Sequence, residues 1–186
     1  VVAPGIADFM RGKPYIRVGV VEANGVEIED LVLSGEASMG ITGRPRYDAG
    51  LVDHQIVRLD ILAASPRPFS PAERRSGIDL RTLCERDLLV LDRGYQSRLT
   101  LDVALRLLSL SPSIRHEGGS GTVILALARA GLGTAVIPAT TRTDLHTAKI
   151  IANGIALGMD LAAIWDPALR WRAEVEQFAD RLRASF

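Results

Sequence analysis

The chain has 186 residues, of which 47% are hydrophobic, and its 22 basic and 22 acidic side chains cancel at neutral pH. This composition is typical of a folded globular protein, and the balanced charge argues against an overall attraction to nucleic acid or to an anionic membrane. The single cysteine, Cys84, excludes a disulfide within the chain and favours a reducing cytoplasm, and no apolar run reaches the roughly 18 residues of a membrane span.

The first third of the chain predicts short helices and strands separated by glycine and proline. Residues 3–11 are typical of the tail of a helix, and the alternating apolar residues of 15–23 predict a strand. A second short strand is predicted over 36–42 and a longer one over 51–64, before the proline-dense loop 65–71. Because the chain begins inside an element, we expect it to be a fragment of a longer protein.

The rest of the chain continues this alternation of helices and strands. A brief helix is predicted over 80–84, a buried strand over 88–91, and a leucine-rich helix over 98–110. Further on, strands are predicted over 148–152 and 161–165. An amphipathic helix is predicted over 168–182. Strands that alternate with helices predict an α/β domain with a mainly parallel sheet.

The most informative stretch lies between these elements. Residues 114–117 predict a strand, 118–122 a glycine-rich turn, 123–130 a short helix packed on most sides, and 134–138 a second strand. Gly131 is expected in the left-handed region just past the helix. The start of such a helix offers backbone N–H groups and hydroxyls, which can hold a small anion. The sequence therefore favours a protein that senses a small molecule.

Ligands of α/β sheets bind beyond the carboxyl ends of the strands. The turns that follow the predicted strands are therefore the candidate contact regions. They lie at residues 42–47, 92–98, 118–122 and 138–141.

Four segments carry a resemblance to a known family. They are Pro-Tyr-Ile-Arg-Val at 14–18 with Glu22, Leu-Ser-Gly-Glu-Ala-Ser-Met-Gly-Ile at 33–41, the pair 78–83 and 88–90, and Leu-Ala-Arg-Ala-Gly-Leu-Gly-Thr-Ala-Val-Ile-Pro at 127–138. In their order and spacing they resemble the LysR-type transcriptional regulators over nearly the whole chain. Ser38 departs from the family, which usually has aspartate there.

The resemblance implies an effector-binding (substrate-binding) domain with a periplasmic-binding-protein-like fold of type 2. Such a domain has two Rossmann-like α/β lobes, a ligand cleft and two crossover connections. Lobe I would comprise residues 1–59 plus 142–186, and lobe II residues 60–141. The family's winged helix-turn-helix would precede this chain. The first strand of lobe I and the start of the following helix, with any ligand contacts they make, would also be absent from it.

The turns and the resemblance together predict the effector contacts, and several of them have a structural alternative. Ser120 and Thr122 could offer hydroxyls to a carboxylate, or one of them could simply cap the helix. Arg98 could pair with a carboxylate through two hydrogen bonds, or be a solvated first-turn residue. Arg44 could equally belong to an exposed turn, and Pro138 could only end a strand. The candidates are Thr42, Gly43, Arg44, Tyr95, Gln96, Ser97, Arg98, Ser120, Thr122, Pro138 and Ala139.

Motifs for other chemistry are incomplete. The run from Gly119 lacks the third glycine of a dinucleotide-binding turn, there is no Gly-Lys-Ser/Thr for a phosphate-binding loop, and Thr122 stands where a nucleophile elbow needs glycine. The three histidines have no metal-ligand spacing. We therefore predict no catalytic residues, no metal and no cofactor, and a protein that is not an enzyme.

The sequence thus predicts the regulatory domain of a LysR-type, DNA-binding transcriptional regulator that senses a small, anionic metabolite. An alternative is a solute-binding protein of a transporter, which uses the same fold. The resemblance implies a homodimer or homotetramer, with either helix 98–110 or strand 15–23 in the contact. DNA would be bound only through the N-terminal domain that is absent from this chain, no membrane would be involved, and the protein would be cytoplasmic.

Overall fold

The computed structural model describes residues 2–13, 15–43 and 50–186. Within these residues the helices and strands follow one another in this order: α1 (Val2–Arg11), α2 (Gly25–Leu33), β1 (Gly40–Gly43), β2 (Val52–Ser65), α3 (Pro71–Ser76), β3 (Ile78–Asp79), α4 (Leu80–Leu83), β4 (Leu88–Leu91), α5 (Gln96–Leu107), β5 (Ile114–Gly118), α6 (Gly121–Arg129), β6 (Thr134–Pro138), β7 (His146–Ala152), β8 (Ile155–Ala156), β9 (Gly158–Trp165) and α7 (Arg172–Ala184).

These elements form two compact units. Unit 1 comprises residues 1–58 and 160–186, and unit 2 comprises residues 59–159. The long strand β2 and the strand β9 each begin in one unit and end in the other. Unit 1 is therefore built from both ends of the chain, whereas unit 2 is one continuous segment.

Unit 1 holds an antiparallel pair of strands covered by helices. β1 pairs with β9 so that Gly40 lies opposite Ile164. Helices α1 and α7 pack together, and the rings of Phe9 and Phe178 lie with their centroids 5.0 Å apart. Trp165 at the end of β9 is fully buried in the same cluster, together with Leu182 of α7. This apolar cluster ties the two ends of the chain into one unit.

The strand predicted over 15–23 is wrong. Residues 16–23 form no helix or strand, and Tyr15, Val20 and Val21 are 75%, 71% and 75% exposed. The alternating pattern is present, but a strand also needs a neighbour that accepts its backbone hydrogen bonds. In the described residues no strand pairs with this segment.

Unit 2 is organised around β4, which lies between β5 and β6 and runs parallel to both. All four residues of β4 are buried, as the sequence predicts. Leu88 and Val90 pack in the cluster that contains Leu101 of α5, whereas Leu89 and Leu91 pack in the cluster that contains Ile124 of α6. Because successive side chains of a strand point to opposite faces, one helix covers each face of β4.

Several other predictions need correction. The sheet is mixed rather than mainly parallel, because β2 pairs antiparallel with both β6 and β7. Residues 142–159, predicted in lobe I, lie in unit 2, where β7 pairs with β2 and β3. The last helix begins at Arg172 and not at residue 168, because the carboxylate and carbonyl of Asp166 hold a turn by accepting from the N–H groups of Ala168 and Leu169.

Candidate functional site

Three of the four predicted turns meet at one edge of unit 2. The N–H of Asp92 donates to the carbonyl of Gly118 at 3.0 Å, and the hydroxyl of Tyr95 donates to the carbonyl of Gly119 at 2.6 Å. The third turn is adjacent, because a Cβ added to Gly121 would lie 3.5 Å from the methyl carbon of Thr141. The parallel strands β4, β5 and β6 end at this edge, which explains the convergence.

The turn before α6 presents backbone and hydroxyl groups at the start of the helix. Ser120 occupies the N-cap position with an extended backbone, but its side chain accepts no capping hydrogen bond. Thr122 is exposed in the first turn of the helix. The alternative in which one of these hydroxyls simply caps the helix is therefore wrong for the Ser120 side chain. The N–H groups in the first turn of an α-helix have no acceptor within that helix. The first N–H groups of α6 therefore need an acceptor from outside the helix.

The helix itself differs from the prediction that it is packed on most sides. Ile124, Leu125 and Ala128 are buried, but Val123 is exposed. Helix α6 is therefore an amphipathic helix that covers one face of β4.

Arg98 has a different environment from either of its two predicted ones. Its side chain is only 2% exposed, so it is not a solvated first-turn residue. Its Nε donates to Asp102 at 2.8 Å, and its Nη1 donates to the carbonyl of Leu91 at 3.0 Å and to Glu117 at 2.5 Å. Burial opposes the charged form, but the hydrogen bonds to Glu117 and Asp102 outweigh it and raise the pKa of the Arg98 guanidinium. The structure shows protein acceptors where a ligand carboxylate was predicted.

The other candidates of this edge are placed as follows. Tyr95 and Gln96 are half-buried, and Ser97 is buried at the start of α5. Pro138 is the last residue of β6, as its structural alternative predicts, and it lies opposite Ile61. The N–H of the exposed Ala139 continues that pairing by donating to the carbonyl of Asp60 at 2.9 Å.

The remaining candidates belong to unit 1. Thr42 and Gly43 are buried at the end of β1, and Arg44 lies outside the described residues. Thr42 lies opposite Ala162, which lines a cavity of about 200 Å³ with three polar residues that the sequence did not single out. These are Asp53, Gln55 and Asp160.

The cavity of unit 1 is acidic. The amide of Gln55 donates to Asp160 at 3.3 Å, and Nη1 of Arg58 lies 3.7 Å from the same carboxylate. The alternation of polar and apolar residues along β2 could have indicated Asp53 and Gln55 as one face of a strand. Their proximity to Asp160 depends on strand pairing, which the sequence alone does not show.

Neither a metal centre nor a reactive thiol stands out. Among residues 2–13, 15–43 and 50–186, no three His, Cys, Asp or Glu side chains lie close enough together to hold a metal ion. Burial and the nearby charge of Asp79 raise the pKa of Cys84, which disfavours the nucleophilic thiolate. Asp92, the acidic residue of the turn after β4, accepts a hydrogen bond from the N–H of Gly94 at 2.9 Å and so closes that turn.

Comparison with known proteins gives the family. The model of the LysR substrate binding domain matches residues 1–186. The chain belongs to the LysR substrate-binding-domain family. This confirms the predicted resemblance, and with it the α/β, periplasmic-binding-protein-like fold class.

A curated relative and two solved structures are similar to this LysR domain. It is 28% identical over 142 residues to the nitrogen assimilation regulatory protein nac of Klebsiella aerogenes, a match that covers 76% of this chain and 44% of the relative. The OxyR C206 mutant of Corynebacterium glutamicum matches 100% of this chain and 59% of its own, with a TM-score of 0.81 and 22% identity. The regulatory domain of CcmR from Synechocystis PCC6803, solved in complex with 2-PG, matches 99% of this chain and 90% of its own, with a TM-score of 0.83 and 17% identity.

The aligned part thus spans less than half of the Klebsiella regulator. Among the described residues of the LysR domain, no helix is long and apolar enough to cross a membrane.

Proposed function

We propose that this chain is the effector-binding regulatory domain of a LysR-type transcriptional regulator and that units 1 and 2 serve as its two lobes. The observation that carries the proposal is the convergence of the turns 92–98, 118–122 and 138–141 at the carboxyl edge of unit 2. The effector contacts that we propose at this edge are Tyr95, Gln96, Ser97, Ser120, Thr122, Pro138 and Ala139. For unit 1, considered by itself, the proposed contacts are Thr42 and Gly43.

A small anion is the class of effector that fits this edge. The first-turn N–H groups of α6 carry partial positive charge, and the Ser120 side chain makes no capping bond that would compete with a ligand. The acidic cavity of unit 1, by contrast, does not favour an anion. The CcmR domain, which shares the fold, is solved with 2-PG bound, and we take this as support for a small-molecule effector of the present domain.

Regulation is favoured over the two other uses of the fold. A solute-binding protein of a transporter would have the same architecture, but the curated relative is a regulatory protein that is aligned over 76% of this chain. An enzyme would need an acid or base aimed at the ligand, and Asp92 is engaged in closing its own turn. Binding would act by population shift, because an effector changes a regulator only if it prefers one conformation.

We also propose that the domain works in an oligomer and that DNA is bound by a separate domain of the whole protein, in the cytoplasm. Helix α5 carries three exposed apolar side chains at helical spacing, Leu99, Val103 and Leu107, which are 42%, 46% and 80% exposed. We call them the α5 stripe. Residues four apart lie on one face of a helix, so the stripe is a continuous apolar surface that a second copy could cover.

Thermal-shift screening with inorganic phosphate and a panel of small carboxylates tests the effector class. A ligand at a hundredfold excess over its Kd stabilises the folded state by about 2.7 kcal/mol, which gives a measurable rise in Tm. We expect an anion from the panel to raise the Tm of the wild type. The rise should be lost in Thr122→Val and reduced in Ser120→Ala.

The matched control is Thr82→Val, since Thr82 is an exposed threonine on another helix of unit 2, α4. It should respond to the anion as the wild type does. An undiminished shift in both Thr122→Val and Ser120→Ala would show that the effector binds elsewhere. A screen in which only cations raise the Tm would contradict the anion class.

A further inference from the structure

Arg98 joins three separate parts of unit 2 through hydrogen bonds. Its Nη1 reaches the carbonyl of Leu91, the last residue of β4, and the carboxylate of Glu117 near the end of β5. Its Nε reaches Asp102, one turn further along α5. Nε of Arg93, in the turn after β4, lies 3.6 Å from the other oxygen of Asp102. We call the set of Arg98, Asp102 and Glu117 the guanidinium clamp.

The groups held by the clamp lead directly into the proposed effector turns. Leu91 precedes the turn that begins at Asp92, and Glu117 precedes Gly118 and Gly119. The turn after β5 has few side chains of its own to order it, because three of the four residues 118–121 are glycine. A rigid site needs supporting residues that fix the groups in contact with the ligand. The clamp provides this support by holding the ends of β4 and β5, from which the turns begin.

The chemistry of the clamp calls for arginine in particular. A buried charge is tolerated when its partners satisfy its hydrogen bonds, and the planar guanidinium presents several donors in a fixed arrangement. A lysine at the same position has one ammonium group and could not reach the acceptors on β4, β5 and α5 with the same geometry. Asp102 and Glu117 bring two negative charges to the clamp, against the positive charge of Arg98 and that of Arg93 beside Asp102, and the Glu117 side chain is 43% exposed.

We propose that Arg98 is a positioning residue of the effector site, which fixes the turns after β4 and β5 through Leu91 and Glu117 without touching the ligand. The inference rests on the proposed function, because it concerns the same turns. It replaces the predicted contact of Arg98 with the effector by an indirect role.

Hydrogen exchange of single backbone amides, measured by NMR without any ligand, tests this role. The amides of Asp92, Gly94 and Tyr95 report on the carboxyl edge of β4, since each donates a hydrogen bond there. The amides of Leu88 and Thr134 report on the opposite edge, where they donate to Ser113 and Asp87. Rates are compared after the global free energy of unfolding has been measured for each variant with denaturant.

In Arg98→Met we expect exchange of the three carboxyl-edge amides to rise about tenfold, the loss that corresponds to one hydrogen bond with a charged group. The amides of Leu88 and Thr134 should change no more than the global stability does. Glu117→Gln keeps an oxygen acceptor and changes a half-exposed residue, so it should fold and show a smaller rise at the same three amides. Arg98→Lys should resemble Arg98→Met, because its single ammonium cannot bridge the three elements.

The matched control is Arg115→Met, on the same strand as Glu117. Nη1 of Arg115 pairs with Asp87 at 2.8 Å on the opposite edge, so this variant should leave the amides of Asp92, Gly94 and Tyr95 unchanged. Equal acceleration at both edges in the Arg98 and Glu117 variants, or no acceleration in Glu117→Gln, would overturn the positioning role. Neither result depends on the effector screen, so a failure of the proposed function would be recognised separately.

Discussion

Gly131 follows helix α6 with a φ of +79°, and it takes part in a C-terminal cap of two hydrogen bonds. Its N–H donates to the carbonyl of Ala128 at 2.9 Å, and the N–H of Leu132 donates to that of Leu127 at 3.2 Å. This is a Schellman motif, so the left-handed conformation expected for Gly131 is confirmed. Gly133 has another role, because a Cβ added there would lie 2.6 Å from the carbonyl oxygen of Asp87.

Substitution of these two glycines should therefore have different consequences. Gly131→Ala should lower the free energy of unfolding by about 1 kcal/mol, because only the backbone conformation is strained and no atom lies within 4 Å of the new Cβ. Gly131→Asn should cost less, since asparagine tolerates this region. Gly133→Ala should cost about 3 kcal/mol, because backbone must move to admit the methyl group.

Denaturant unfolding of the three variants measures these differences. Gly133→Asn serves as the control. Asparagine tolerates a positive φ and so reduces the backbone strain at position 131, but it does not remove the steric clash at position 133. If Gly133→Asn were as stable as Gly131→Asn, the close approach of Asp87 would not be the reason for glycine at position 133.

Single residues also show which features can be predicted from the sequence and which cannot. The role of Gly131 could be predicted because it depends on the adjacent helix alone. The burial of Arg98 in α5 could not be predicted, because its partner Glu117 lies 19 residues away on the strand β5. The N-cap position of Ser120 follows from local sequence, but the absence of its capping bond does not.

At the scale of elements, a local pattern of apolar residues predicts a strand correctly when the segment has neighbouring strands to pair with. The four apolar residues of β4 predicted a buried strand, and the structure covers it with one helix on each face. The segment 15–23 has an equally clear alternation and forms no strand, since pairing depends on a neighbour. The mixed direction of the sheet was missed for a related reason, because periodicity describes faces of a strand and not the direction of its partner.

The loop that leads into β4 gives a pH-dependent prediction. The Asp87 carboxylate accepts a hydrogen bond from the hydroxyl of Ser113 and another from Arg115, both at 2.8 Å. The hydrogen bond from Ser113, followed by that from Arg115, lowers the pKa of Asp87 below its ordinary value. The unfolded chain therefore takes up the proton first on acidification. The stabilisation is present above about pH 4 and is lost as the pH falls through the lower folded pKa.

We accordingly expect Asp87→Asn to be less stable than the wild type at neutral pH and to lose less stability between about pH 5 and about pH 2. Urea unfolding across this range gives the measurement. Ser113→Ala removes the largest cause of the shift and should fall between the two proteins. Parallel acid profiles for the wild type and Asp87→Asn would contradict the assignment.

In the part of the molecule that the structure describes, the outer face of α5 is an apolar surface that the fold does not require. In the α5 stripe, Leu99, Val103 and Leu107 point away from the buried face formed by Leu101, Ala104 and Leu105. The sequence predicted helix 98–110 as one of two possible oligomer contacts, and it could not decide between them because both were predicted to have apolar faces. Apolar side chains are exposed in both candidates, but only α5 presents them on one face of a regular element, so α5 is the contact that we propose.

Sedimentation of the isolated domain at several concentrations tests this contact. We expect reversible self-association in the wild type and a dissociation constant about tenfold larger, or more, in Leu107→Glu, because a charge would be buried in an apolar contact. Val123→Glu is the control, since Val123 is also an exposed apolar residue on a helix of unit 2. Equal weakening by the two substitutions would show that the stripe is not specific.

The way the chain passes twice between the units has a consequence for its synthesis. During synthesis, residues 59–159 of unit 2 are made before residues 160–186, which unit 1 needs in addition to residues 1–58. At about 5 to 20 residues per second, Phe9 and Ile56 must wait several seconds for Trp165 and Phe178, the partners that bury them. Within this domain, residues 1–58 are thus the part that a chaperone would protect during synthesis.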